Sequence, residues 1–412
     1  MTRVVITGYG VASPIGNDSE TFLESLQEGK NGIGPITRFD ASETGIGVAG
    51  EITDFPLEKY FIKKDTKRMD LFSLYGIYAA LEAMEMAGLT KETVDDPDRF
   101  GVMVSSGIGG LPTIQDQVTK MNAKGPKRVS PMFVPMSIVN MVAGNIALRV
   151  GAKGICTSTV TACASGTHSI GEAFRNIKHG YADMMLAGGA EASICEIGIA
   201  GFASLTALTD ETDPDKASIP FDSKRSGFVM GEGAGVLMLE SLEHAKARGA
   251  KILGEVVGYG ANCDAYHMTA PAPDGSGAGK AMKLALNEAG VAPEEVGYIN
   301  AHGTSTPAND QAEAKAIHYA LGDAASDIYV SSTKSMTGHL LGAAGGVEAV
   351  ASLLALQHQF IPPTINVTEQ DPEIDLNVVK NEAVTAKLDY AMSDSLGFGG
   401  HNAVILLKRW EA

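Results

Sequence analysis

The sequence predicts an α/β fold made of two copies of one β/α unit. With 48 glycines and only 6% aromatic residues, the chain suits tightly packed α/β layers joined by many short turns. The strand-like segments of the first part also recur, in the same order, after residue 251. Segment 255–262 echoes 4–12, 297–303 echoes 101–107, 329–333 with its helix echoes the unit around Cys163, and 390–395 and 402–408 repeat the closing strands. This order predicts a duplicated unit whose two sheets pack through central helices.

The composition limits the class of protein. The chain has 412 residues, 44% hydrophobic and 20% charged, which predicts two domain-sized units, here 1–250 and 251–412. A net charge of −17 argues against nucleic acid as a partner, and no apolar run is long enough to span a membrane. Four cysteines without regular spacing argue against disulfides and zinc, and the strand at Arg3–Thr7 leaves no room for a signal peptide. We therefore expect a reducing, cytoplasmic protein.

The first strand ends in Gly8-Tyr9-Gly10, which is close to a dinucleotide-binding fingerprint. A dehydrogenase is the function that this pattern would indicate. However, Ser13 stands at the third glycine, and Pro14-Ile15-Gly16 interrupts the helix that should receive the pyrophosphate. A simple turn from strand to loop is the better interpretation, followed by a helix from about Ser19 to Gln27.

Two basic clusters stand out in this acidic chain. One lies ahead of an amphipathic helix predicted over Asp70–Ala87, and the other flanks a Gly-Pro turn; their residues are Lys63, Lys64, Lys67 and Arg68, and then Lys124, Lys127 and Arg128. The usual explanation of a charge run is a solvated face. Two clusters near one another would instead suit an acidic partner.

The middle of the first half alternates strands with turns of small residues. Segment 100–110 reads as a buried strand ending in a turn, and 182–189 as another strand ending in glycines. Segment 111–150 is apolar without a clear period, which fits core, an oligomer interface or the lining of an apolar pocket. Loop 220–235 resembles a phosphate cradle but lacks Gly-Lys-Ser/Thr, so we interpret it as a structural turn leading into strand 236–239 and helix 242–248.

Cys163 occupies the most informative position. The β-branched run 155–161 predicts a strand, Ala162 to Ala164 a tight corner, and Ser165 the start of a helix. A cysteine at a helix N-terminus faces unpaired amides that favour an anion, so its thiolate should be stabilised relative to an ordinary thiol of pKa ~8.5. Small neighbours leave room for a thioester. The alternative is a buried structural cysteine, which is what we expect of Cys156.

Further reactive residues follow strands of the second half. His302 comes directly after one strand, and Lys334 and His339 surround the turn that corresponds to Cys163. Phe398 is the one bulky residue of a glycine-rich turn. A two-fold relation between the halves would bring these strand ends together, so these four residues and Cys163 could meet at one site.

These motifs carry a resemblance to a known family. Four segments carry it: TACASG at 161–166, AHGTST at 301–306, KSMTGH at 334–339 and GFGG at 397–400. With these motifs, the chain resembles the elongating, type II β-ketoacyl-acyl carrier protein synthases over essentially its whole length. The resemblance implies the thiolase fold, with duplicated βα units in five α-β-α-β-α layers. Its first half would carry cap insertions and Cys163, and its second half His302, Lys334 and His339. Thiolases are expected to have a second cysteine, and initiating synthases an asparagine, where this chain has His339.

The resemblance also implies roles for individual residues. Cys163 would carry the acyl chain, with the amides of Cys163 and Phe398 as oxyanion hole, while His302 and His339 stabilise an enolate and Lys334, beside Glu348, orients them. Thr304 and Thr306 would bind pantetheine; Ile108, Phe133 and Phe202 would line the acyl tunnel, with Phe398 as its gate. Acyl carrier protein would dock on Lys63, Lys64, Lys67, Arg68, Lys127 and Arg128. We expect a homodimer that needs no metal or redox cofactor, because loss of CO₂ drives the reaction. A type I elongating synthase, a polyketide ketosynthase and a non-catalytic partner of the same fold stay open as alternatives.

Overall fold

The computed structural model describes residues 2–411. Its strands are β1 (Val4–Ala12), β2 (Gly34–Pro35), β3 (Val48–Ala49), β4 (Phe100–Ser105), β5 (Cys156–Thr157), β6 (Met184–Glu191), β7 (Gly233–Ser241), β8 (Gly254–Cys263), β9 (Val296–Asn300), β10 (Tyr329–Ser331), β11 (Phe360–Ile361), β12 (Asn377–Val378), β13 (Val384–Thr385), β14 (Tyr390–Gly397) and β15 (His401–Arg409). Its helices are α1 (Ser19–Glu28), α2 (Leu71–Met86), α3 (Leu111–Lys124), α4 (Phe133–Ser137), α5 (Met141–Val150), α6 (Ser165–Lys178), α7 (Glu196–Ser204), α8 (Pro214–Ala217), α9 (Leu242–Ala247), α10 (Ser276–Ala289), α11 (Pro307–Leu321), α12 (Lys334–Thr337) and α13 (Ala344–His358).

The strand order confirms the duplication. From its centre outward, the main sheet runs β1, β7, β6, β4, β5 on one side and β8, β15, β14, β9, β10 on the other, with β12 added at the far end. The two series have the same order and the same sequence relation, so each strand of the first half has a counterpart in the second. They meet where Val4–Ile6 of β1 pair antiparallel with Gly254–Val256 of β8, so hydrogen bonds join the two predicted sheets into one of eleven strands.

Helices cover and separate the two half-sheets. Helices α6 and α13 lie between them, α2 and α5 cover the outer face of the first, and α10 and α11 that of the second. Every residue of α13 from Ala344 to Leu356 is buried, as expected of a helix with sheet on both sides. The predicted five-layer arrangement is therefore confirmed. Among the residues that the structure describes, no helix is long and apolar enough to cross a membrane.

Glycines in β1 and β8 allow helices to approach the sheet closely. A Cβ added to Gly8 or Gly10 would lie 2.1 or 2.0 Å from carbonyl oxygens of α2. In the second half, a Cβ on Gly258 or Gly260 would lie 2.2 or 1.9 Å from carbonyl oxygens of α10. The Gly-Tyr-Gly pattern that suggested a dinucleotide site is thus explained by helix–sheet packing, and it is repeated with the fold.

The strand predicted over 155–161 is much shorter in the structure. Only Cys156 and Thr157 pair with β4, at the outer edge of the sheet. The ladder stops because the Ser158 hydroxyl donates to the Val104 carbonyl at 2.8 Å, which uses the acceptor that a longer strand would need. The prediction that Cys156 is buried is also wrong, since its edge position leaves it exposed.

The other predicted elements are present, with small shifts at their ends. The helix predicted over 70–87 also forms, but the prediction that it is amphipathic is wrong. Helix α2 begins after Asp70, whose carboxylate caps the Phe72 amide, and it is buried on nearly all sides because β1, β6, β7 and α5 surround it. Segment 111–150 forms three helices, α3 to α5. Loop 220–235 leads into β7 without an intervening helix, as predicted.

A glycine on α13 tests the close packing between the halves. A Cβ on Gly346 would lie 2.2 Å from the Gly235 carbonyl oxygen of β7. We predict that Gly346→Ala lowers the free energy of unfolding by roughly 1–3 kcal/mol, because overpacked core atoms must shift. Gly144 of α5 has only Met141 side-chain atoms near 3.9 Å, so Gly144→Ala should leave stability unchanged or raise it by up to about 1 kcal/mol. Denaturant unfolding of both variants checks this, and equal midpoints would contradict it.

Candidate active site

The predicted catalytic residues meet in one cavity. Cys163, His302, His339 and Phe398 all line a space of about 450 Å³ between the two halves. Cys163 comes from the turn between β5 and α6, His302 follows β9, and His339 follows α12. The two-fold relation therefore brings strand ends that are far apart in the sequence to one place, as the sequence predicted.

Cys163 is held by a strained turn that the second half repeats. The 3₁₀ turn Ala162–Ala164 starts at φ 50° and precedes α6, just as the turn Leu341–Ala343 starts at φ 48° and precedes α13. Gly342 thus stands where the first half has Cys163, so the corresponding turn lies after His339 and not between Lys334 and His339 as predicted. The Cys163 side chain is buried, which raises the pKa of its thiol to about 12, while the Lys334 charge and the Phe398 amide act in the opposite direction. The prediction of a stabilised thiolate is wrong, because the loss of water around the thiol outweighs the favourable groups.

The two histidines are neutral. Their rings lie 5.2 Å apart, centroid to centroid, and cross at 89°. Burial and then the nearby Lys334 charge lower the pKa of both His302 and His339 well below its ordinary value. Neither Nδ1 atom has a hydrogen-bond partner among residues 2–411. Each ring can therefore donate one N–H and stay uncharged near neutral pH.

Lys334 and Glu348 form a buried ion pair behind the histidines. Lys334 is 1% exposed and Glu348 is 2% exposed, and the Lys334 ammonium donates to Oε1 of Glu348. This contact confirms the predicted neighbour. Burial raises the pKa of Glu348, and Lys334 partly opposes that rise. The pair places a fixed positive charge close to both rings, which helps to keep them neutral.

Phe398 lies in the turn between β14 and β15. Its ring is half-buried, with its centroid 6.2 Å from that of Phe202, and Phe202 also lines the cavity. The backbone amide of Phe398 is close enough to the Cys163 thiol to oppose the rise in pKa that burial causes there. Gly399 and Gly400 follow with φ of 93° and 76°, conformations that suit glycine. The turn can thus hold an amide near Cys163 while its side chain covers the cavity.

The predicted substrate-binding residues divide into three groups. Thr304 and Thr306 line the cavity, and their hydroxyl oxygens are 2.9 Å apart. Ile108 is not a lining residue, but it packs in the same apolar cluster as Cys163 and Phe202. Phe133 lies on α4 and belongs to neither the cavity nor that cluster, so one chain alone does not bring it to the site.

The predicted docking residues are free surface cations. Lys63, Lys64, Lys67, Arg68, Lys127 and Arg128 are all exposed, and none forms an ion pair with an acidic residue of the described chain. The first cluster is anchored by Arg149, which lies 3.7 Å from Asp65 and stacks on the Phe61 ring. These charges are therefore available to a partner.

One supporting residue was missed by sequence reasoning. Glu313 of α11 is fully buried and accepts the backbone N–H groups of His302 and Gly303 at 2.6 and 2.7 Å. It therefore holds the turn that carries His302. The available signal was a helix directly after the AHGTST segment whose acidic residues, Asp310 and Glu313, are three positions apart and so lie on one face.

Comparisons with known proteins agree with this geometry. A model of the β-ketoacyl synthase N-terminal domain matches residues 1–245, and a model of the C-terminal domain matches residues 253–368. The chain belongs to the β-ketoacyl synthase family. It is 52% identical over 410 residues to 3-oxoacyl-[acyl-carrier-protein] synthase 2 of Synechocystis sp., across 99% of this chain and 98% of the relative. The protein of the same name from Staphylococcus aureus is also 52% identical, across 100% and 99% of the two chains.

A solved structure extends the comparison to the fold of this β-ketoacyl synthase. It is similar, with a TM-score of 0.92 and 34% identity over 100% of both chains, to a chain in the complex of a type II polyketide-synthase acyl-carrier protein with its ketosynthase bound to the hexaketide. The resemblance to β-ketoacyl synthases and the thiolase-type fold are thus confirmed.

Proposed function

We propose that the chain is a 3-oxoacyl-[acyl-carrier-protein] synthase that elongates fatty acyl chains. It condenses malonyl-acyl carrier protein with an acyl group on Cys163 and releases CO₂ and free carrier protein. The observation that carries this proposal is the meeting of Cys163 with two neutral, buried histidines in one cavity. The 52% identity to synthases of that name across nearly the whole chain supports the same reaction.

In the first step, Cys163 takes the acyl chain. Its sulfur bonds to the thioester carbonyl carbon, the bond from that carbon to the pantetheine sulfur breaks, and the Cys163 proton ends on the departing pantetheine thiol. The amides of Cys163 and Phe398 face the oxygen that becomes negative. Such donors typically contribute ~10²–10³ in rate. Thr304 and Thr306 line the route along which a pantetheine arm would lie.

In the second step, the malonyl group loses CO₂. His302 and His339 donate N–H groups to the thioester oxygen, so the electron pair of the broken carbon–carbon bond is held as an enolate. That enolate attacks the acyl carbonyl carbon on Cys163, and the Cys163 sulfur leaves. Neutral donors suit this step, because an imidazolium would protonate the enolate before it could attack. The Lys334 charge favours the neutral rings. No metal or redox cofactor enters this scheme.

A second copy of the chain is the proposed partner at the sheet edge. Apolar side chains are exposed along α3, α4, α5 and β5: Val118, Val134, Ile138, Leu148, Ile155 and Val160. Strand β5 also leaves one edge unpaired. A homodimer through this face would cover both features and carry Phe133, on α4, toward the acyl tunnel of the other copy.

All four cysteines are free, which supports a reducing compartment such as the cytoplasm.

A polyketide ketosynthase is a second candidate, favoured by the structural likeness to a ketosynthase bound to a hexaketide. The higher identity to 3-oxoacyl-[acyl-carrier-protein] synthase 2 favours the first proposal. Incubation with acyl carrier proteins that carry saturated or polyketide chains, followed by protein mass measurement, separates the two. Acylation of Cys163 by saturated chains is the expected result.

Charge reversal tests the docking surface. We predict that the double variant Lys67→Glu and Arg68→Glu raises KM for acyl-carrier substrate by about tenfold and leaves kcat unchanged, because the acidic carrier loses attraction while the chemistry stays intact. The matched control is Lys380→Glu with Lys387→Glu, which changes the net charge equally at other exposed positions. If a small acyl-pantetheine substrate suffers as much as the carrier-bound one, the cluster is not a docking site.

A larger side chain at Ile108 tests whether this residue forms part of the wall of the acyl tunnel. Ile108→Phe should reject long acyl chains while short chains still react, because a bulkier wall shortens the tunnel before it disturbs the catalytic residues. The measurement is the mass of the acyl-enzyme formed from carriers with chains of increasing length. Ile108→Val should keep the wild-type profile. An unchanged profile in Ile108→Phe would remove Ile108 from the tunnel wall.

Separate measurement of the half-reactions tests the assigned roles. Cys163→Gln places an amide carbonyl near the position of an acyl-thioester carbonyl, so malonyl-carrier should lose CO₂ and yield acetyl-carrier without elongation. His302→Ala and His339→Ala should reduce CO₂ release at least about 10²-fold, while Cys163 still accepts an acyl chain. CO₂ and acyl-enzyme are followed separately. The assignment is wrong if Cys163→Gln releases no CO₂ while both histidine variants do.

A further inference from the structure

A second carboxyl group faces Glu313 behind the His302 turn. Asp394, on β14, is fully buried, and the preceding Ser393 pairs with Asn300 of β9, which places Asp394 beside the turn that carries His302. Burial, and then the neighbouring Asp394 carboxylate, raise the pKa of Glu313. Neither oxygen of Asp394 accepts a hydrogen bond from a described residue. The His302 N–H donates to Glu313 at 2.6 Å, and it is also near enough to Asp394 to oppose the rise in pKa that burial causes there. A buried carboxylate without donors is rare and needs an explanation.

The neighbouring charges show why both groups cannot be ionised. The charged residues that face the pair are Asp310 on α11, Lys334 on α12 and Glu348 on α13, and His302 is neutral. Lys334 is already paired with Glu348, and Arg225 lies 3.3 Å from Asp310. No neighbouring cation in the described chain is left for a second negative charge. Two adjacent buried carboxylates would repel each other strongly, and sharing one proton removes that repulsion.

The hydrogen-bond donors decide where the proton lies. Glu313 accepts N–H groups from His302, Gly303 and the Asn309 side chain, at 2.6, 2.7 and 3.2 Å. These donors stabilise a charge on Glu313. Asp394 has no such donors, so it is the better carrier of the proton and donates it to Glu313.

We propose that Glu313 and Asp394 share one proton and that this protonated pair is a positioning device for His302. The inference rests on the proposed function, because it assigns a role in the CO₂-releasing step. Glu313 holds the backbone amides of His302 and Gly303, and Asp394 fixes Glu313 from the other side. The position of the His302 ring, which contacts the malonyl thioester, thus depends on a proton that lies between Asp394 and Glu313 and not at the reacting atoms.

The pH dependence follows from burial. Burial raises the pKa of Asp394 to about 7 and that of Glu313 well above its ordinary value. An acid whose pKa is raised by folding is stabilised in its protonated form, so the favourable arrangement is complete at low pH and is lost as the pH rises through the raised value. The titration belongs to the pair as a whole. Loss of the proton leaves two facing carboxylates, which push Glu313 away from the His302 turn.

The experiment compares CO₂ release from malonyl-carrier across pH. In the wild type the rate should fall about tenfold between about pH 7 and about pH 9. Asp394→Asn donates an amide N–H to Glu313 at every pH, so its rate should stay within about threefold over the same range. Glu313→Gln cannot accept both backbone amides and should lose at least about tenfold at every pH. Asp389→Asn, an exposed control, should keep the wild-type profile.

An infrared measurement tests the proton without relying on activity. The wild-type protein should show the band of a buried protonated carboxyl group, which shifts in D₂O. Asp394→Asn should lose that band and Asp389→Asn should keep it. Persistence of the band in Asp394→Asn, or the same alkaline fall in rate as in the wild type, would overturn the inference. If the wild type releases no CO₂ at any pH, the proposed function fails, while the infrared result still decides whether the pair holds a proton.

Discussion

The close contact of the two central helices is the constraint on which the site depends. A Cβ on Gly166 of α6 would lie 2.8 Å from the Gly346 nitrogen of α13, and one on Gly345 would lie 2.0 Å from the Thr167 hydroxyl oxygen. Only residues without side chains allow the two helices to approach this closely. Because each helix follows a turn at the end of a strand, their contact also brings those two turns together. Cys163 therefore faces residues that come more than a hundred positions later.

Burial between the two half-sheets sets the chemistry of the cavity. The same loss of water that raises the pKa of the Cys163 thiol lowers the pKa of both histidines. Lys334 is buried beside the cavity and forms an ion pair with Glu348 of α13. The cavity thus combines two neutral hydrogen-bond donors with a buried thiol. Neutral donors suit a reaction whose charged intermediate is an enolate.

A synthase that acts on carrier-bound substrates requires different properties in its interior and on its surface. The interior needs precise, dry positions, which the glycine contacts and the Glu313 hydrogen bonds provide. The outer loops carry the exposed basic clusters at 63–68 and 127–128 in a chain of net charge −17, and these clusters form the docking surface proposed above for an acidic carrier. The exposed apolar face along α3 to α5 is the surface proposed above for a second copy of the chain.

The sequence by itself determined the duplicated α/β fold and the family, and it indicated the residues Cys163, His302, Lys334 and His339. These could be predicted because they depend on local motifs and on the order of those motifs along the chain. It also indicated the Lys334–Glu348 contact. Only the tertiary structure decided the protonation of Cys163, the length of β5 and the role of Glu313. These depend on burial, on whether a neighbouring strand continues, and on which carboxyl group meets which amide. Local sequence could place Cys163 before a helix, but the cost of removing water from its thiol arises only when both halves close around it.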